Sequence, residues 1–267
     1  MARGIIPNND REYKRLGSII NDARLAGRID WNHLEDRTRN VRENSHWNSP
    51  ADIINATVYS YYRNRWEGQQ YYVEVWIEKD ALVGVIDGVC RENDAPFFSC
   101  RGYTSQSEVW GAAQRILRQC RPSTPGGVWR KPIILHLGDH DPSGIDMTRD
   151  VTDRLDMFVT HHGGPSPRIE RLALNMDQVE QYGPPPNPAK LSDSRADKYI
   201  AEYGDDSWEL DALEPAVIAD LIRDAISDYR DQALWDAVAE REEAEKGILR
   251  SASTRWGAVV NFLERRQ

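Results

Sequence analysis

The sequence predicts an α/β protein in which a mostly parallel sheet is flanked by helices. Three observations point there. From Tyr71 onward, short apolar runs alternate with helix-periodic stretches in the order βαβαβα. One run, Ile133–Leu137, ends in a turn with two acids, Asp139 and Asp141, and Pro142, Ser143 and Gly144 then open a helix. Glu78, Gly102 and Asp139 each fall just past a predicted strand, at the edge of a parallel sheet where ligands sit.

The elements follow in chain order. Residues 10–27 show helical periodicity, with Tyr13, Leu16, Ile19, Ile20, Ala23 and Leu25 on one face, Asp10 as N-cap and Gly27 as stop. Arg11, Lys14, Arg15, Arg24 and Arg28 interleave on the other side. Ile29–Trp31 suits a short strand, and a mixed-charge stretch, Glu35–Arg39, follows. Ser49 and Pro50 open a second helix, expected to run to about Trp66, with Gly68 as its end. Tyr71–Ile77, β-branched and aromatic, is the first strand of the main pattern. A helix over 80–92, a strand over 96–100, a helix over 105–120, the strand 133–137, a helix from Ser143 to about Phe158 and a strand over 168–174 complete it. Gly183–Pro188 is a stiff, proline-rich connector. Beyond it, 193–203 and 215–264 have helical character, the latter too long for one unbroken helix. The expected division is an N-terminal region over 1–70, the sheet domain over 71–180 and a helical C-terminal extension over 181–267.

Composition bounds the function. The 267 residues are 40% hydrophobic and 29% charged, as in globular proteins generally. No apolar run of about 18 residues is present to cross a membrane, and the first residues lack the apolar stretch of a secretory signal. Three scattered cysteines, Cys90, Cys100 and Cys120, fit buried reduced thiols better than disulfides or zinc. Net charge is −9, but it is uneven: residues 1–70 hold 11 Lys and Arg against 9 Asp and Glu, and residues 71–267 hold 23 against 34. A protein with this balance would bind nucleic acid through a local basic strip and a metal, with modest, salt-sensitive affinity.

The candidate site is built from three pieces: Val75–Asp80 (VWIEKD), Cys100–Tyr103 (CRGY) and Gly138–Gly144 (GDHDPSG). Two carboxylates one residue apart at a strand tip repel each other unless a cation intervenes. Glu78, about 60 residues earlier, would supply a third acid. An Asp turn and a helix N-cap are the competing explanation of Asp139 and Asp141. Lys79 and Arg101 are candidates for phosphate contact, with role-free surface charge as the alternative. Asp146 is either a supporting acid or a first-turn residue favoured by the helix dipole. His140 is expected as an exposed turn residue, with a ligand or proton carrier as the alternative, His136 in the core, and His161 and His162 towards solvent. Trp31, Trp47 and Trp66 are expected to pack, with stacking on bases as the alternative.

These pieces, in this order and spacing, resemble the TOPRIM domain, the metal-binding α/β module of topoisomerases, primases and some nucleases. The Glu-Lys-Asp at 78–80, the Gly-Tyr at 102–103 and the Asp-x-Asp-Pro-x-Gly at 139–144 are most similar to the A subunit of topoisomerase VI, relative of the meiotic double-strand-break transesterase. The likeness covers residues 71–160 and extends more loosely to 10–40 and 171–213. It implies a TOPRIM-like sheet, a partial winged-helix-like region before it, and Mg2+, or Mn2+ in its place, held by Glu78, Asp139 and Asp141. Glu78, Lys79, Asp139 and Asp141 would be the catalytic set, and Arg101, Arg15 and Arg37 candidates for DNA phosphates. The implied protein is cytoplasmic, prokaryotic or phage-encoded, homodimeric and DNA-binding. It would be a DNA endonuclease or topoisomerase-like cleaving subunit.

One part of the pattern has no match. In that family a tyrosine on a helix ahead of the TOPRIM domain cuts DNA, and the segment resembling the end of that region is Tyr13–Trp31. Tyr61-Tyr62 and Tyr71-Tyr72 come later in the chain, and Tyr13 has the place of a packing residue, so no nucleophilic tyrosine is assigned. Hydrolytic cutting by water, tyrosine supplied elsewhere, and binding without cutting all stand at this point. No G-x-x-x-x-G-K-[S/T] loop is present, so strand passage would need a separate ATPase chain and a small-molecule phosphotransferase is disfavoured.

Overall fold

Residues 5–7, 10–33 and 44–265 are described by the computed structural model. Helices α1 (Asp10–Leu25) and α2 (Pro50–Ser60) come first. Then follow β1 (Tyr71–Ile77), α3 (Val83–Glu92), β2 (Phe97–Ser99), α4 (Gln106–Cys120), β3 (Lys131–Leu137), α5 (Pro142–His161), β4 (Arg168–Ala173) and α6 (Met176–Tyr182). The remainder is β5 (Asn187–Pro188), α7 (Ala196–Tyr203), β6 (Asp206–Ser207), α8 (Pro215–Asp228), α9 (Gln232–Thr254) and α10 (Trp256–Glu264). Contacts gather the chain into two units, one built on Trp66–Leu234 and the other on Pro7–Arg65 with Trp235–Gln267.

The first unit is an α/β sandwich. Its four strands lie in the order β2-β1-β3-β4 and every pairing is parallel, with Val75 beside Phe97, Val75 beside Leu135 and Leu135 beside Glu170. Both central strands are buried on both faces, which is why 71–77 and 133–137 are apolar apart from Glu74 and His136. On one face Trp76 and Ile134 pack with Ile116 and Leu117 of α4 and Leu155 and Val159 of α5. The other face is covered by α3 and α8, which pack together and bring in Ile86, Ile218 and Ile222, all fully buried. Glu74 is the one acid inside the sheet's apolar face. It accepts bonds from both ends of the Arg115 guanidinium at 2.8 Å, from Tyr72 at 2.6 Å and from Trp76 at 2.9 Å. A buried carboxylate is tolerated because its lone pairs are filled.

Chain order across this sheet fixes where a site can form. From β1 the chain moves outward to β2 on one side, and from β3 it moves outward to β4 on the other. The loops after β1 and β3 therefore diverge and leave a crevice at their carboxyl ends. Glu78 follows β1 and Gly138 follows β3, and the Glu78 N–H still donates to the Leu137 carbonyl at 2.9 Å.

The second unit contains α1, α2, most of α9 and α10. Ser49 caps α2, accepting from the Asp52 N–H at 3.2 Å. The helix ends at Ser60, earlier than the periodicity suggested, because Tyr61 and Arg63 are captured by α9. Tyr61 Oη donates to Glu245 at 2.5 Å, and the Arg63 N–H donates to Glu242 at 2.9 Å. No pattern within 51–66 encodes partners some 180 residues away. Ile29–Trp31 forms no strand; a single 3-10 turn, Trp31–His33, stands there, with the Arg24 guanidinium 4.3 Å above the Trp31 ring. On α1, Tyr13, Ile19 and Leu25 are exposed instead of packed, while Leu16, Ile20 and Ala23 are half-buried. Trp66 is buried as expected, whereas Trp31 and Trp47 are exposed. The mixed-charge stretch at 35–39, Arg37 included, lies outside the described residues.

Candidate functional site

At the crevice, the main chain does much of the work of collecting acids. Glu78, Asp139 and His140 are all buried, and Asp141 is half-buried at the start of α5. The Asp139 N–H donates to Glu78 Oε2 at 3.0 Å, which joins the first and third sequence pieces directly. Gly138 is required for that closeness: a Cβ there would lie 2.8 Å from Glu78 Oε2. Gly144 has a stricter reason, since its Cβ would lie 2.1 Å from the Asp139 carbonyl oxygen. Asp141 caps α5, its Oδ1 accepting from the Gly144 N–H at 2.6 Å and the Ser143 hydroxyl at 3.0 Å. The capping explanation of Asp141 is therefore real, and it leaves the second oxygen of that carboxylate for other use.

Glu78 and Asp139 are both shifted by their surroundings. Burial, then the negative charge of Asp139, and also that of Asp141, push Glu78 up to about 7. Asp139 is raised too, by burial first, with Lys79 and the Leu210 N–H pulling the other way. Lys79 Nζ sits 3.2 Å from Asp139 Oδ2, 3.3 Å from Glu209 and 3.0 Å from Asp211. Burial alone would favour the neutral amine, but Asp139, Asp211 and Glu209 outweigh it and keep Lys79 protonated.

Glu209 and Asp211 belong to a strap that sequence reasoning missed. Residues 206–213 lie across the acid turn: β6 pairs with β5 antiparallel, His140 and Trp208 exchange main-chain bonds of 2.8 and 2.9 Å, and the Leu210 N–H donates to Asp139 Oδ1 at 2.7 Å. The available signal was the apolar-acid pattern Trp208-Glu209-Leu210-Asp211-Ala212, whose apolar residues are buried and whose acids are less so, although Leu210–Ala212 is a 3-10 turn and not a strand. His140 is buried under this strap rather than exposed. Its Nδ1 lies 2.8 Å from Tyr199 Oη, and burial lowers its pKa to about 4. His136 is in the core as expected, 3.0 Å from the Thr148 hydroxyl, and burial and the Arg171 charge lower it to about 3. His161 and His162 are exposed. All three cysteines are buried free thiols.

The remaining candidates are scattered. Arg101, in the left-handed region at φ 54°, lies two residues past β2 and pairs with Asp80 at 3.2 Å on the surface. Arg15 lies on α1 in the other unit, paired with Glu12 at 3.3 Å. Tyr103 Oη donates to Asp146 at 2.7 Å and receives a short bond from Arg195. Burial pushes Asp146 upward, but the bonds from Arg149, Tyr103 and Arg195 together outweigh it and hold the carboxyl down to about 2. An open cavity of about 560 Å³ flanks the turn, lined among others by His140, Arg149, Arg171, Asn175 and Tyr203.

Donor chemistry decides which ion such a cluster could take. Among the described residues, no three Asp, Glu, His or Cys side chains form a ready metal cage. The oxygens on offer are hard, few and partly engaged by N–H groups and Lys79. That set suits a hydrated Mg2+ touching one or two carboxylates of Glu78, Asp139 and Asp141, and it does not suit a closed zinc centre. Comparison with protein-family models, curated proteins and solved structures gives no match to this chain.

Proposed function

We propose that the protein is a Mg2+-dependent DNA-binding protein of the TOPRIM class that cuts DNA strands, resembling the topoisomerase VI A subunit. The observation that supports it most is the placing of Glu78, Asp139 and Asp141 at the switch point of a parallel sheet, with Glu78 pushed up to about 7 by burial first and then by the charges of Asp139 and Asp141. A divalent cation bound there would relieve that repulsion and neutralise a scissile phosphate. Near neutral pH Glu78 exchanges its proton readily, as a general base for an attacking water requires. The water oxygen would form the new bond to phosphorus, its proton would pass to Glu78, and the ester oxygen would leave. Lys79 would steady the charge on Asp139 and, once its acids are otherwise engaged, reach a phosphate.

Water is the favoured nucleophile because the tyrosines of this unit near the turn are engaged. Tyr199 is buried against His140, and Tyr103 is bound to Asp146 and raised above its usual value, by burial first. Exposed apolar side chains on the helices of the second unit, Tyr13, Ile19, Tyr59 and Ile248, support a homodimer. No described helix is long and apolar enough to cross a membrane.

Supercoiled plasmid tests the reading. With Mg2+ or Mn2+ the protein should yield nicked or linear DNA, unchanged by protease and abolished by chelator or by Asp141→Asn. Product held by protein until protease is added would replace water with a tyrosine. A mobility shift with no cutting under either ion would leave a DNA-binding protein and end the catalytic reading.

A further inference from the structure

Arg171, on β4, is the largest charged side chain beside the acid turn for which the chemistry above has no use. It is half-buried, and its guanidinium makes five bonds, all to neutral oxygens. Nε donates to the Leu174 carbonyl at 3.3 Å. One terminal nitrogen donates to the Gly144 carbonyl at 3.0 Å and the Thr148 hydroxyl at 2.7 Å. The other donates to the carbonyls of Gly138 at 3.2 Å and Asp139 at 2.5 Å. A partly buried arginine more commonly spends its planar fork on a carboxylate.

Those carbonyls are not a random set. A trans peptide carries its C=O and N–H on opposite sides, so holding one end aims the other. The Gly138 carbonyl is held by Arg171 and by the Leu174 N–H at 2.8 Å, and the N–H of the same peptide points to Glu78 Oε2. The Asp139 carbonyl is held by Arg171, and the N–H of that peptide points to Trp208. The Gly144 carbonyl is held at the residue whose own N–H binds Asp141 Oδ1. One guanidinium thus grips the main chain within one residue of each contact that orients Glu78, Asp139 and Asp141.

We propose that Arg171 is the positioning residue of the acid turn: its fork holds the carbonyls of Gly138, Asp139 and Gly144 and so sets the directions of the carboxylates at 78, 139 and 141, one or two of which would meet the cation. It touches neither substrate nor ion. This rests on the cation site proposed above. Charge alone does not account for the arrangement, because a positive group beside a cation site opposes binding. What the fork contributes is direction, which a lysine ammonium cannot supply to carbonyls on several sides. Groups that orient metal-binding side chains in this way typically change affinity by about 10–100-fold when lost.

The test is calorimetric titration of the full chain with Mn2+ alone, the site being the binding event that Asp141→Asn removes. Arg171→Lys and Arg171→Met are titrated alongside, with thermal unfolding of each in chelator. Both variants should bind Mn2+ at least about tenfold more weakly than wild type, lysine rescuing nothing. Wild-type affinity in Arg171→Lys would overturn the positioning role and leave the cation site standing. Unchanged affinity in folded variants with lowered melting temperature would overturn it in favour of a structural role. No Mn2+ binding by wild type would overturn both the site and the role built on it. Should neither variant fold, Thr148→Val removes one acceptor of the fork and keeps the arginine; affinity equal to wild type there would again overturn the proposal, and a weakening of about threefold is expected, below the full effect because four of the five bonds remain.

Discussion

The Lys79 ammonium stands 3.2 Å from Asp139 Oδ2, so the acid at the centre of the crevice already has a cation of the protein's own. Both side chains are largely shielded, at 24% and 11% exposure. Removing one partner of such a pair strands the other charge. Lys79→Met should therefore destabilise the protein by about 2 kcal/mol in chelator, less than for a fully buried pair because water still reaches the lysine. Added Mg2+ should recover more stability in the variant than in wild type, since the ion would then take over the lysine's role. Urea denaturation with and without Mg2+ measures both; an equal Mg2+ effect on the two proteins contradicts the cation site.

Two glycines of the turn should respond differently to alanine. At Gly144 the new methyl meets the Asp139 main chain at 2.1 Å, which nothing flexible can relieve. Gly144→Ala should cost about 3 kcal/mol or more. At Gly138 the obstacle is the Glu78 carboxylate at 2.8 Å, the movable end of a side chain. Gly138→Ala should cost only about 1 kcal/mol, yet displace Glu78 and abolish cutting. Paired denaturation and plasmid assays separate the two cases.

His136 makes the fold sensitive to acid. In the unfolded chain a histidine titrates near 6.5, while in the fold burial first, and then Arg171, lower it to about 3. Below about 6.5 the unfolded state binds a proton that the folded state refuses, so stability falls with pH between those values. At pH 5 the loss from this residue is about 2 kcal/mol relative to pH 7. Denaturation at the two pH values, in wild type and His136→Gln, should show a slope flatter by that amount in the variant.

The Glu74–Arg115 pair should behave as a buried ion pair does. Glu74 is 1% exposed and Arg115 33%. Arg115→Met leaves a carboxylate inside the sheet with only Tyr72 and Trp76 as donors, and should cost about 3 kcal/mol. Adding Glu74→Gln removes the stranded charge and should recover part of that loss, a non-additivity visible in a double-mutant cycle.

How much of this could be seen in the amino-acid order depends on distance along the chain. Tyr71–Ile77 is a strand with the bounds its composition suggests, and Glu78, Gly102 and Asp139 do gather at one edge. Those features depend on local pattern plus the rule that parallel strands place their carboxyl ends together. The break within 215–264 was foreseeable from length, and it falls at Tyr229–Asp231 and Arg255. What escaped notice was fixed by remote partners. His140 is buried because Trp208 and Tyr199 cover it, and α2 stops at Ser60 because Glu242 and Glu245 claim the residues beyond. Arg171 gave no signal at all: an arginine in a strand is ordinary until the carbonyls around it are known.

The strap over the acid turn also sets an order of events. Every acid of the 78–141 cluster has left the ribosome long before Leu210, whose N–H holds Asp139 Oδ1, has been made. During that interval of synthesis the nascent sheet carries its carboxylates without their cover. A fragment ending near residue 180 would be frozen at that stage, with the motif complete and Glu209 and Asp211 missing. The smallest piece that can display the finished crevice runs from Trp66 past Leu213.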